Sequence, residues 1–466
     1  MMMGFPEDVA GAADTIRAAE EVTIVSHIDA DGIAAEAILA QALDRAGVRN
    51  RSVFVRQLEP LSMRHVPKDA SLKVFLDLGA GQQNLLVEHD LAPEEVMILD
   101  HHVSQPAGRD YRQVNGLPYG HTRLSAAGVS YLVSRHLDPS CVDLSPLAVV
   151  GNVGDMMART DLQLVGPARG ILEEGQRAGY IDLARDLNCY GISTRPAHVC
   201  LAFGDDPFIP GISGNPTQAL SFLQHLGVRL QDPSGAWMVW EEIPFDGKRR
   251  IVSALAQQLV LHGRDASRLI GEVYLFPHEA ARSPLRNASE FATVLNACGR
   301  WAKPLVGSRI CRGDRGGAYR EAEHMLTHHR GIIRELLLFI LDRGVTELSH
   351  LQYIHVGDRF PDTIIGIGAG MALSKLNPGK PILILGQMAD DPLVSKASLR
   401  TTDEMVRRGV DLQQVVVTAS ERNGGSGGGH RIAAGAFIPK EAEERFVHCA
   451  NRLLARQYAH TGPDHC

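Results

Sequence analysis

The sequence lacks the features that mark disulfide-rich, zinc-binding and membrane proteins. Its seven cysteines are scattered over 466 residues without a CxxC pair, which argues against a disulfide framework and against a zinc module. No apolar run is long enough to span a bilayer, and the N-terminus lacks the basic-then-apolar pattern of a signal peptide. We therefore expect a cytoplasmic protein with reduced thiols and no membrane partner.

Positive charge and aromatic residues are also scarce. The formal net charge is −7, whereas general polyanion binders usually carry a basic excess. A metal enzyme is an exception to this rule, because bound divalent ions offset a cluster of carboxylates. Aromatic residues make up only 5% of the chain, so any nucleic-acid contact is expected to rely on the backbone rather than on base stacking.

One segment is a local exception to the acidic charge balance. Its basic residues are Arg300, Lys303, Arg309, Arg312, Arg315 and Arg320, against the single acid Asp314. We interpret the segment as a solvated face, with a track for phosphate groups as the alternative.

What the chain does contain is a set of apolar runs that end in acids and histidines. These runs lead into His27-Ile28-Asp29-Ala30-Asp31-Gly32, into Asp77, into Asp100-His101-His102 and into Gly151-Asn152-Val153-Gly154-Asp155. Buried parallel strands deliver polar side chains in this way to the carboxyl edge of a sheet. The pattern predicts four elements, three strands and a helix or strand, that aim these side chains at one site.

The order of apolar runs predicts an α/β protein with three regions. Residues 1–165 alternate strands and helices, as in a doubly wound parallel sheet, and residues 166–345 are mostly helical. Residues 346–466 form a smaller α/β domain, with strands predicted at Ile364–Ile367 and Val415–Val417 and a helix at Ile432–Phe437. We expect the two α/β domains to face each other across a cleft.

The acids and histidines of the first region suit a pair of divalent ions, because carboxylate and imidazole ligands favour manganese or magnesium. On an extended segment, the alternate spacing of the first motif would point its three polar side chains the same way. The predicted ligands are His27 and Asp29 for one ion, Asp31, His101 and Asp155 for the second, and Asp77 as the bridge. The alternative for Asp31 and Asp155 is a role as helix caps.

Two such ions would activate water and stabilise both oxygens of an in-line displacement at phosphorus. His102 is predicted to face the substrate and donate a hydrogen bond to a phosphate oxygen. Asp100 is predicted to orient an imidazole from just outside the set of metal ligands. The first region therefore predicts a phosphoester hydrolase.

A glycine run near the C-terminus predicts a second constellation. Backbone amides in such a run approach an anion closely because no Cβ intervenes. The predicted phosphate cradle consists of Gly427, Gly428, Gly429, His430 and Arg431, with Arg400 as a bidentate contact. A flexible surface loop is the alternative.

Taken together, the motifs HIDADG, FLDLG, LDHH, GNVGD and GGSGGGHRIAAG resemble those of the DHH phosphoesterase superfamily and its associated C-terminal domain. Lys396–Arg400, which includes Ser398, resembles that domain's substrate-contacting strand. The HxDxD form, the length and the block from Leu285 to Arg300 resemble RecJ-type exonucleases, most of all the archaeal RecJ-like proteins. No further oligonucleotide-binding domain of the bacterial RecJ kind is evident, so we expect the middle and C-terminal domains to grip the substrate.

This resemblance implies manganese- or magnesium-dependent hydrolysis of single-stranded DNA from an end, with the 5′ end favoured, in replication or repair. It also implies an association with the GINS complex of the replisome. The alternatives are a 3′–5′ exonuclease, a phosphodiesterase acting on RNA, short oligonucleotides or cyclic dinucleotides, a family II type pyrophosphatase, and a catalytically silent subunit of a replicative helicase.

Overall fold

The structure, a computed structural model, describes residues 4–60, 62–204, 206–373, 375–388 and 391–459. The chain divides into two compact units, residues 1–325 and 326–466, and the division falls within one long helix. Our assignment of a separate middle region over residues 166–345 stays a prediction. No helix in the described ranges has the length and apolar character needed to cross a membrane.

The first unit begins with a parallel sheet in the order β2-β1-β3-β4-β5. Its strands are β1 (Glu21–His27), β2 (Arg49–Val55), β3 (Leu72–Leu76), β4 (Val96–Leu99) and β5 (Arg112–Val114). Ser26 of β1 pairs with Leu76 of β3, which pairs in turn with Leu99 of β4. Because these three strands run in parallel, the residues that follow them emerge side by side at one edge.

Helices cover both faces of this sheet, which confirms the predicted α/β fold with a parallel N-terminal sheet. They are α1 (Phe5–Ala18), α2 (Ala30–Ala46), α3 (Gln83–Glu88), α4 (Ala126–Leu137) and α5 (Ser145–Gly154). On one face, Leu86 of α3 packs with Val25, Phe75 and Ile98 of the central strands. Helix α2 is buried along most of its length and packs against α4 and α5.

The rest of the first unit is mainly helical, as predicted, but it also contains two strands that the sequence pattern did not indicate. The helices are α6 (Gly166–Arg177), α7 (Ala197–Phe203), α8 (Pro216–His225), α9 (Phe245–Leu261), α10 (Ala288–Arg300) and α11 (Pro304–Cys311). The strands β6 (Asp182–Leu187) and β7 (Ile270–Leu275) form an antiparallel pair. Helix α12 (Gly317–Arg343) leads into the second unit.

The second unit is built on a mixed sheet in the order β12-β13-β11-β10-β9-β8. Its elements are β8 (Thr346–Glu347), β9 (Gln352–Gly357), α13 (Asp362–Leu373), β10 (Ile382–Gln387), β11 (Val394–Arg400), α14 (Asp403–Arg407), α15 (Leu412–Glu421), β12 (Ser426–Gly429), β13 (Ala433–Pro439) and α16 (Glu443–Ala459). Helices α15 and α16 cover one face. Helix α13 packs on the other face with the end of α12.

Three secondary-structure predictions for this unit are wrong. Ile364–Ile367 lies in helix α13, and Val415–Val417 lies in helix α15, although both segments are predicted as strands. Ile432–Phe437 is predicted as a helix, but residues from Ala433 onward form strand β13 between β11 and β12. Each segment is short and apolar, and such runs do not distinguish a buried strand from a buried helix.

Candidate metal centre

The carboxyl edge of the first sheet brings together the acids and histidines of all four N-terminal motifs. His27 is the last residue of β1, Asp77 directly follows β3, and His101 is the second residue after β4. Asp29 is the N-cap of α2, and Asp155 is the C-cap of α5. Ligand atoms of these residues lie close enough to one another to hold metal ions.

Asp77 lies between two groups of ligands and presents one carboxylate oxygen to each. Its Oδ2 lies 3.1 Å from Nδ1 of His27, which is also 3.1 Å from Oδ2 of Asp29. Its Oδ1 lies 3.2 Å from Nε2 of His101. We name His27, Asp29 and Asp77 the first ligand group. A carboxylate shared in this way is the arrangement that a bridge between two ions requires.

The second ligand group consists of Asp31, His101 and Asp155. Nε2 of His101 lies 3.3 Å from Oδ2 of Asp155 and 3.9 Å from Oδ2 of Asp31. With Oδ1 of Asp77 also beside His101, the described residues offer this position three carboxylates and one imidazole. Such an oxygen-rich set suits manganese or magnesium.

Asp100 supports the site through hydrogen bonds, and it also lies within a group of possible ligands with Asp77, His101 and His102. Its carboxylate accepts hydrogen bonds from the backbone N–H groups of Ala80, His101 and His102 and from Nδ1 of His102, at 2.7–3.2 Å. Three of these donors reach Oδ1, and the N–H of Ala80 reaches Oδ2 of this fully buried carboxylate. Asp100 therefore holds the His102 ring through Nδ1. Nε2 of this half-exposed imidazole takes no part in that bond.

Burial and neighbouring charge shift the pKa values of the carboxylates in different directions. Burial, reinforced by Asp77, raises the pKa of Asp31. Burial also raises the pKa of Asp155 to about 6, with His101 opposing the shift and Asp77 adding to it. Burial opposes the shift at Asp29, but the charge and hydrogen bond of His27 hold its pKa well below the usual range. The crowded acids therefore favour nearby positive charge.

The same carboxylates shift the pKa values of the two ligand histidines, His27 and His101. Burial alone would lower their pKa values. The carboxylates of Asp29 and Asp77 nevertheless raise the pKa of His27 well above its ordinary value. Asp77, Asp31 and Asp155 likewise raise the pKa of His101 to about 10. A proton on each imidazole supplies the positive charge that a metal ion would supply in its place, so metal uptake would release protons.

Two details of the predicted local structure need correction. The first motif is not extended throughout, because the chain turns into α2 at Ala30 and Asp31 lies in the first helical turn. Asp31 reaches the site from that turn, and its two oxygens accept the backbone N–H groups of Ala126 and Ala127 at the start of α4. The carboxylate thus caps α4 while it faces His101. The fourth apolar run is helix α5 rather than a strand, so Asp155 arrives from a helix end.

In the second unit, Arg400 and Ser398 lie on the sheet face that α13 covers in part. Ser398 is buried, and Nη1 of Arg400 donates to the carbonyl of Leu399 at 2.7 Å. A Cβ placed on Gly366 of α13 would lie 2.6 Å from Nη2 of Arg400, so the guanidinium packs closely against this helix. Burial lowers the pKa of Arg400.

Among the predicted sites, the phosphate cradle of the glycine run differs most from what the structure shows. Residues 426–429 are strand β12, paired with β13, so the run is neither a loop nor the approach to a helix. A Cβ on Gly427 would lie 2.6 Å from Val416 of α15, and Gly429 has a φ of 132°. Packing and backbone conformation therefore account for these two glycines. Gly428 has open space beside it and pairs with Gly435, the partner of Ser398.

The residues after the glycine run are exposed. The side chain of Arg431 forms an ion pair of 3.3 Å with Asp411, and the backbone N–H of His430 donates to the carbonyl of Ala433 at 2.8 Å. The second constellation is therefore a strip of sheet surface, formed by Ser398, Gly435 and Gly428 in register, with Arg400 at the end of the same strand as Ser398.

The basic segment from Arg300 to Arg320 is largely neutralised. Its ion pairs are Lys303 with Glu321, Arg309 with Asp314, Arg312 with Asp44 and Arg315 with Glu279. Arg300 is half-buried and interacts electrostatically with Asp29. The pairing agrees with a solvated face for most of the segment.

Sequence reasoning gave no role to two residues that contact the site. Asn296 and Gly299 of α10 lie against the loop that carries Asp29. They belong to the block from Leu285 to Arg300, which in the sequence stands out only by its resemblance to archaeal proteins. Spacing along the chain cannot reveal this contact, because more than 260 residues separate Asn296 from Ala30.

Comparison with known proteins identifies two domains and one fold. Residues 189–271 match the DHH-CID domain, and residues 350–456 match the DHHA1 domain. An uncharacterized protein of Methanocaldococcus jannaschii is 27% identical over 452 residues, which are 94% of each chain.

The chain is also similar to three solved structures at low sequence identity. For exonuclease RecJ bound to manganese, the TM-score is 0.55 at 15% identity, over 99% of this chain and 97% of that one. For RecJ of Thermus thermophilus in complex with Mn²⁺, it is 0.57 at 17% identity, over 98% of this chain and 55% of that one. For CDC45 of Entamoeba histolytica, it is 0.64 at 11% identity, over 98% and 100%.

These likenesses show the fold, and the two domain matches agree with it. The chain therefore has a RecJ-like fold and contains a DHH-CID domain and a DHHA1 domain.

Proposed function

We propose that this protein is a two-metal-ion phosphodiesterase that hydrolyses single-stranded DNA from an end, in replication or repair. One observation carries the proposal. The two oxygens of Asp77 face two different ligand groups, which is the geometry of a carboxylate that bridges a pair of divalent ions.

The donor set fits the metal. The two ligand groups comprise four carboxylates and two imidazoles, without a thiol, and such sets favour manganese, with magnesium as the alternative. Divalent ions bound there would polarise the phosphoryl group and activate a water molecule for attack at phosphorus. RecJ structures similar to this chain were solved with manganese, which agrees with this choice.

His102 is the residue best placed to act on the substrate. Asp100 holds its Nδ1 at 2.8 Å and raises the pKa of the ring, which favours the protonated form. The ring is about half exposed. Its Nε2 would then donate a hydrogen bond to a phosphate oxygen and stabilise charge that develops in the transition state.

The surface strip of the second unit is the proposed contact for the sugar-phosphate backbone. A guanidinium and a hydroxyl lie beside glycines whose missing side chains leave the backbone accessible, and a phosphate fits such a surface without reference to base identity. The proposed contacts are Arg400, Ser398, Gly428, His430 and Arg431, whereas Gly427 and Gly429 have structural explanations.

The direction of hydrolysis and the protein partner are inferred from the resemblance to archaeal RecJ-like proteins. We favour the 5′ end and an association with GINS in the replisome, because archaeal RecJ-like proteins have these properties. A 3′–5′ exonuclease and a phosphodiesterase acting on RNA or short oligonucleotides are the enzymatic alternatives.

A second candidate is a structural subunit of a replicative helicase, since the chain is similar in fold to CDC45 of Entamoeba histolytica. A silent subunit has no need to keep metal ligands. In this chain, an acid or a histidine occupies each predicted ligand position, and these residues lie together. This observation favours the enzyme.

Digestion of end-labelled single strands tests the proposal directly. DNA and RNA of graded length, labelled at the 5′ or 3′ end, are incubated with the protein in EDTA, Mn²⁺ or Mg²⁺. We expect no cleavage in EDTA, and in Mn²⁺ mononucleotides released from the 5′ end of DNA. Release from the 3′ end or a preference for RNA would select an enzymatic alternative. No cleavage of any substrate with any metal would favour the structural subunit.

A further inference from the structure

The C-terminal turn of α10 lies directly against the loop that carries Asp29. The side-chain Oδ1 of Asn296 accepts a hydrogen bond of 3.1 Å from the backbone N–H of Ala30. Ala30 is the first residue of α2, so this N–H has no partner within its own helix. Ala30 is also fully buried, and without Asn296 this donor would lose the hydrogen bond that satisfies it.

The same turn approaches the loop backbone at Gly299. A Cβ on Gly299 would lie 1.8 Å from the carbonyl oxygen of Ile28, far inside any van der Waals contact. Only glycine permits this packing. The residues on both sides of Asp29, Ile28 and Ala30, are thus both in contact with α10.

Helix α10 is itself held by other parts of the first unit. A Cβ on Gly154, the residue before Asp155, would lie 3.2 Å from Cβ of Ala292, so α10 also packs against the end of α5. Near its start, the buried Glu290 accepts the backbone N–H of Ser193 at 3.0 Å and the hydroxyl of Thr194. The helix therefore provides a fixed surface for the loop around Asp29.

We propose that Asn296 is a positioning residue for the metal centre, and that it fixes the peptide after Asp29 so that the Asp29 carboxylate meets His27 and Asp77. The inference rests on the proposed function, because it assigns the first ligand group to an ion. A metal ligand must be held to within about 0.5 Å of its productive position. The hydrogen bond to Ala30 and the contact at Gly299 supply that restraint from outside the motif.

The effect of removing the restraint should differ between the two ligand groups. Asp29 belongs to the first group alone, whereas in the second group Asp31 binds the N–H groups of Ala126 and Ala127, and the N–H of His101 binds Asp100. Loss of the Asn296 acceptor should therefore weaken one of two Mn²⁺ affinities and spare the other. Supporting residues of this kind typically contribute roughly 10- to 100-fold to metal affinity.

The test is a Mn²⁺ titration of Asn296→Leu, followed by electron paramagnetic resonance, with the melting temperature of the metal-free protein measured in parallel. Leucine has a similar size and no acceptor. Asn296→Asp keeps an oxygen that accepts the Ala30 N–H and should restore most of the affinity. Thr293→Val is the matched control, because the Thr293 hydroxyl bonds to the carbonyl of Ser289 within α10 and does not contact the loop.

We expect Asn296→Leu to lower one Mn²⁺ affinity by at least about 10-fold, with two normal affinities in Thr293→Val. Unchanged affinities in Asn296→Leu, or a lower melting temperature with normal Mn²⁺ binding, would overturn the positioning role. If Asn296→Leu does not fold, Asn296→Ser replaces it, because its shorter side chain also withdraws the acceptor from Ala30. A wild-type protein that binds no Mn²⁺ would instead refute the proposed metal centre itself.

Discussion

Asp77 combines an unusual backbone conformation with the central position in the site. Its φ of 60° lies in the left-handed region, where residues other than glycine are uncommon, and its N–H donates to the carbonyl of Leu99. Strained conformations of this kind persist where the surrounding structure enforces them, often at functional sites. Here the turn directs one oxygen towards His27 and the other towards His101.

Replacing Asp77 by asparagine tests the bridge with little disturbance of the backbone. Asp77→Asn keeps a side chain that tolerates the left-handed region, but removes the charge that both ions would share. We expect hydrolysis of single-stranded DNA to fall by several orders of magnitude, measured as initial rates in Mn²⁺. Asp69→Asn serves as the control and should retain activity, because Asp69 precedes the N-terminal end of β3, whereas Asp77 follows its C-terminal end. Near-normal turnover of Asp77→Asn would refute the bridging role.

Arg400 provides the residue-scale test of the second unit. Arg400→Ala removes a guanidinium that lies against α13 on the same strand as Ser398. We expect KM for single-stranded DNA to rise by about 10-fold, the effect of losing one charge-assisted contact, with kcat little changed. Arg400→Lys keeps the positive charge but lacks the paired N–H donors of the guanidinium, so it should recover only part of the affinity for single-stranded DNA. A fall in kcat at constant KM would contradict a binding role.

The sequence indicated which residue types to consider at the N-terminal site, because carboxyl ends of neighbouring parallel strands meet at one edge. The structure brings those acids and histidines together. It also shows what spacing could not predict. Asp31 caps α4, and Asp100 accepts hydrogen bonds from the N–H of Ala80 and from the His102 ring. Both facts depend on backbone groups from other elements, which leave no pattern in the sequence.

At the scale of elements, short apolar runs caused the errors. Val415–Val417 is β-branched, which is typical of a strand, yet Asp411 caps the N-terminus of α15, and Val415 and Val416 pack into the core from this helix. Residues from Ala433 are small and look helical, but pairing on both sides makes them a central strand. Tertiary contacts outweigh intrinsic preference in such segments.

Strand β12 yields a prediction that separates packing from binding. Gly427→Ala places a methyl group 2.6 Å from Val416, so we expect a loss of stability of about 1–3 kcal/mol from overpacking. Gly428→Ala points into open space and should leave the melting temperature almost unchanged. If the strip binds the backbone, Gly428→Ala should instead raise KM for single-stranded DNA.

Thermal melting and steady-state kinetics on both variants check these outcomes. A strong loss of stability in Gly428→Ala would show that Gly428, like Gly427, is required for packing. A normal KM in a stable Gly428→Ala would remove this position from the binding surface.

At the scale of the whole molecule, the acidic charge balance and the metal centre are connected. Four carboxylates lie together at one sheet edge, and the raised pKa values of Asp31 and Asp155 reflect their burial and mutual repulsion. The cluster of negative charge in the first unit is therefore unfavourable for stability when no metal is bound. The cluster accounts for part of the net charge of −7 and becomes favourable when cations bind.

Metal should therefore stabilise the folded protein. A ligand that binds only the native state adds about 2.7 kcal/mol per site when its concentration is about 100 times Kd. We expect the melting temperature to rise with Mn²⁺ and to return to its initial value in EDTA. The melting temperature of Asp77→Asn should respond less to Mn²⁺ than that of the wild type. A melting curve insensitive to Mn²⁺ would indicate that the acids hold no ion.

The most direct measurement is an anomalous difference map from crystals grown with Mn²⁺. We expect two peaks at the carboxyl edge of the first sheet, about 3.5–4 Å apart. One should lie beside His27 and Asp29 and the other beside Asp31, His101 and Asp155, with Asp77 in contact with both. A single peak, peaks elsewhere, or two ions without Asp77 between them would contradict this expectation.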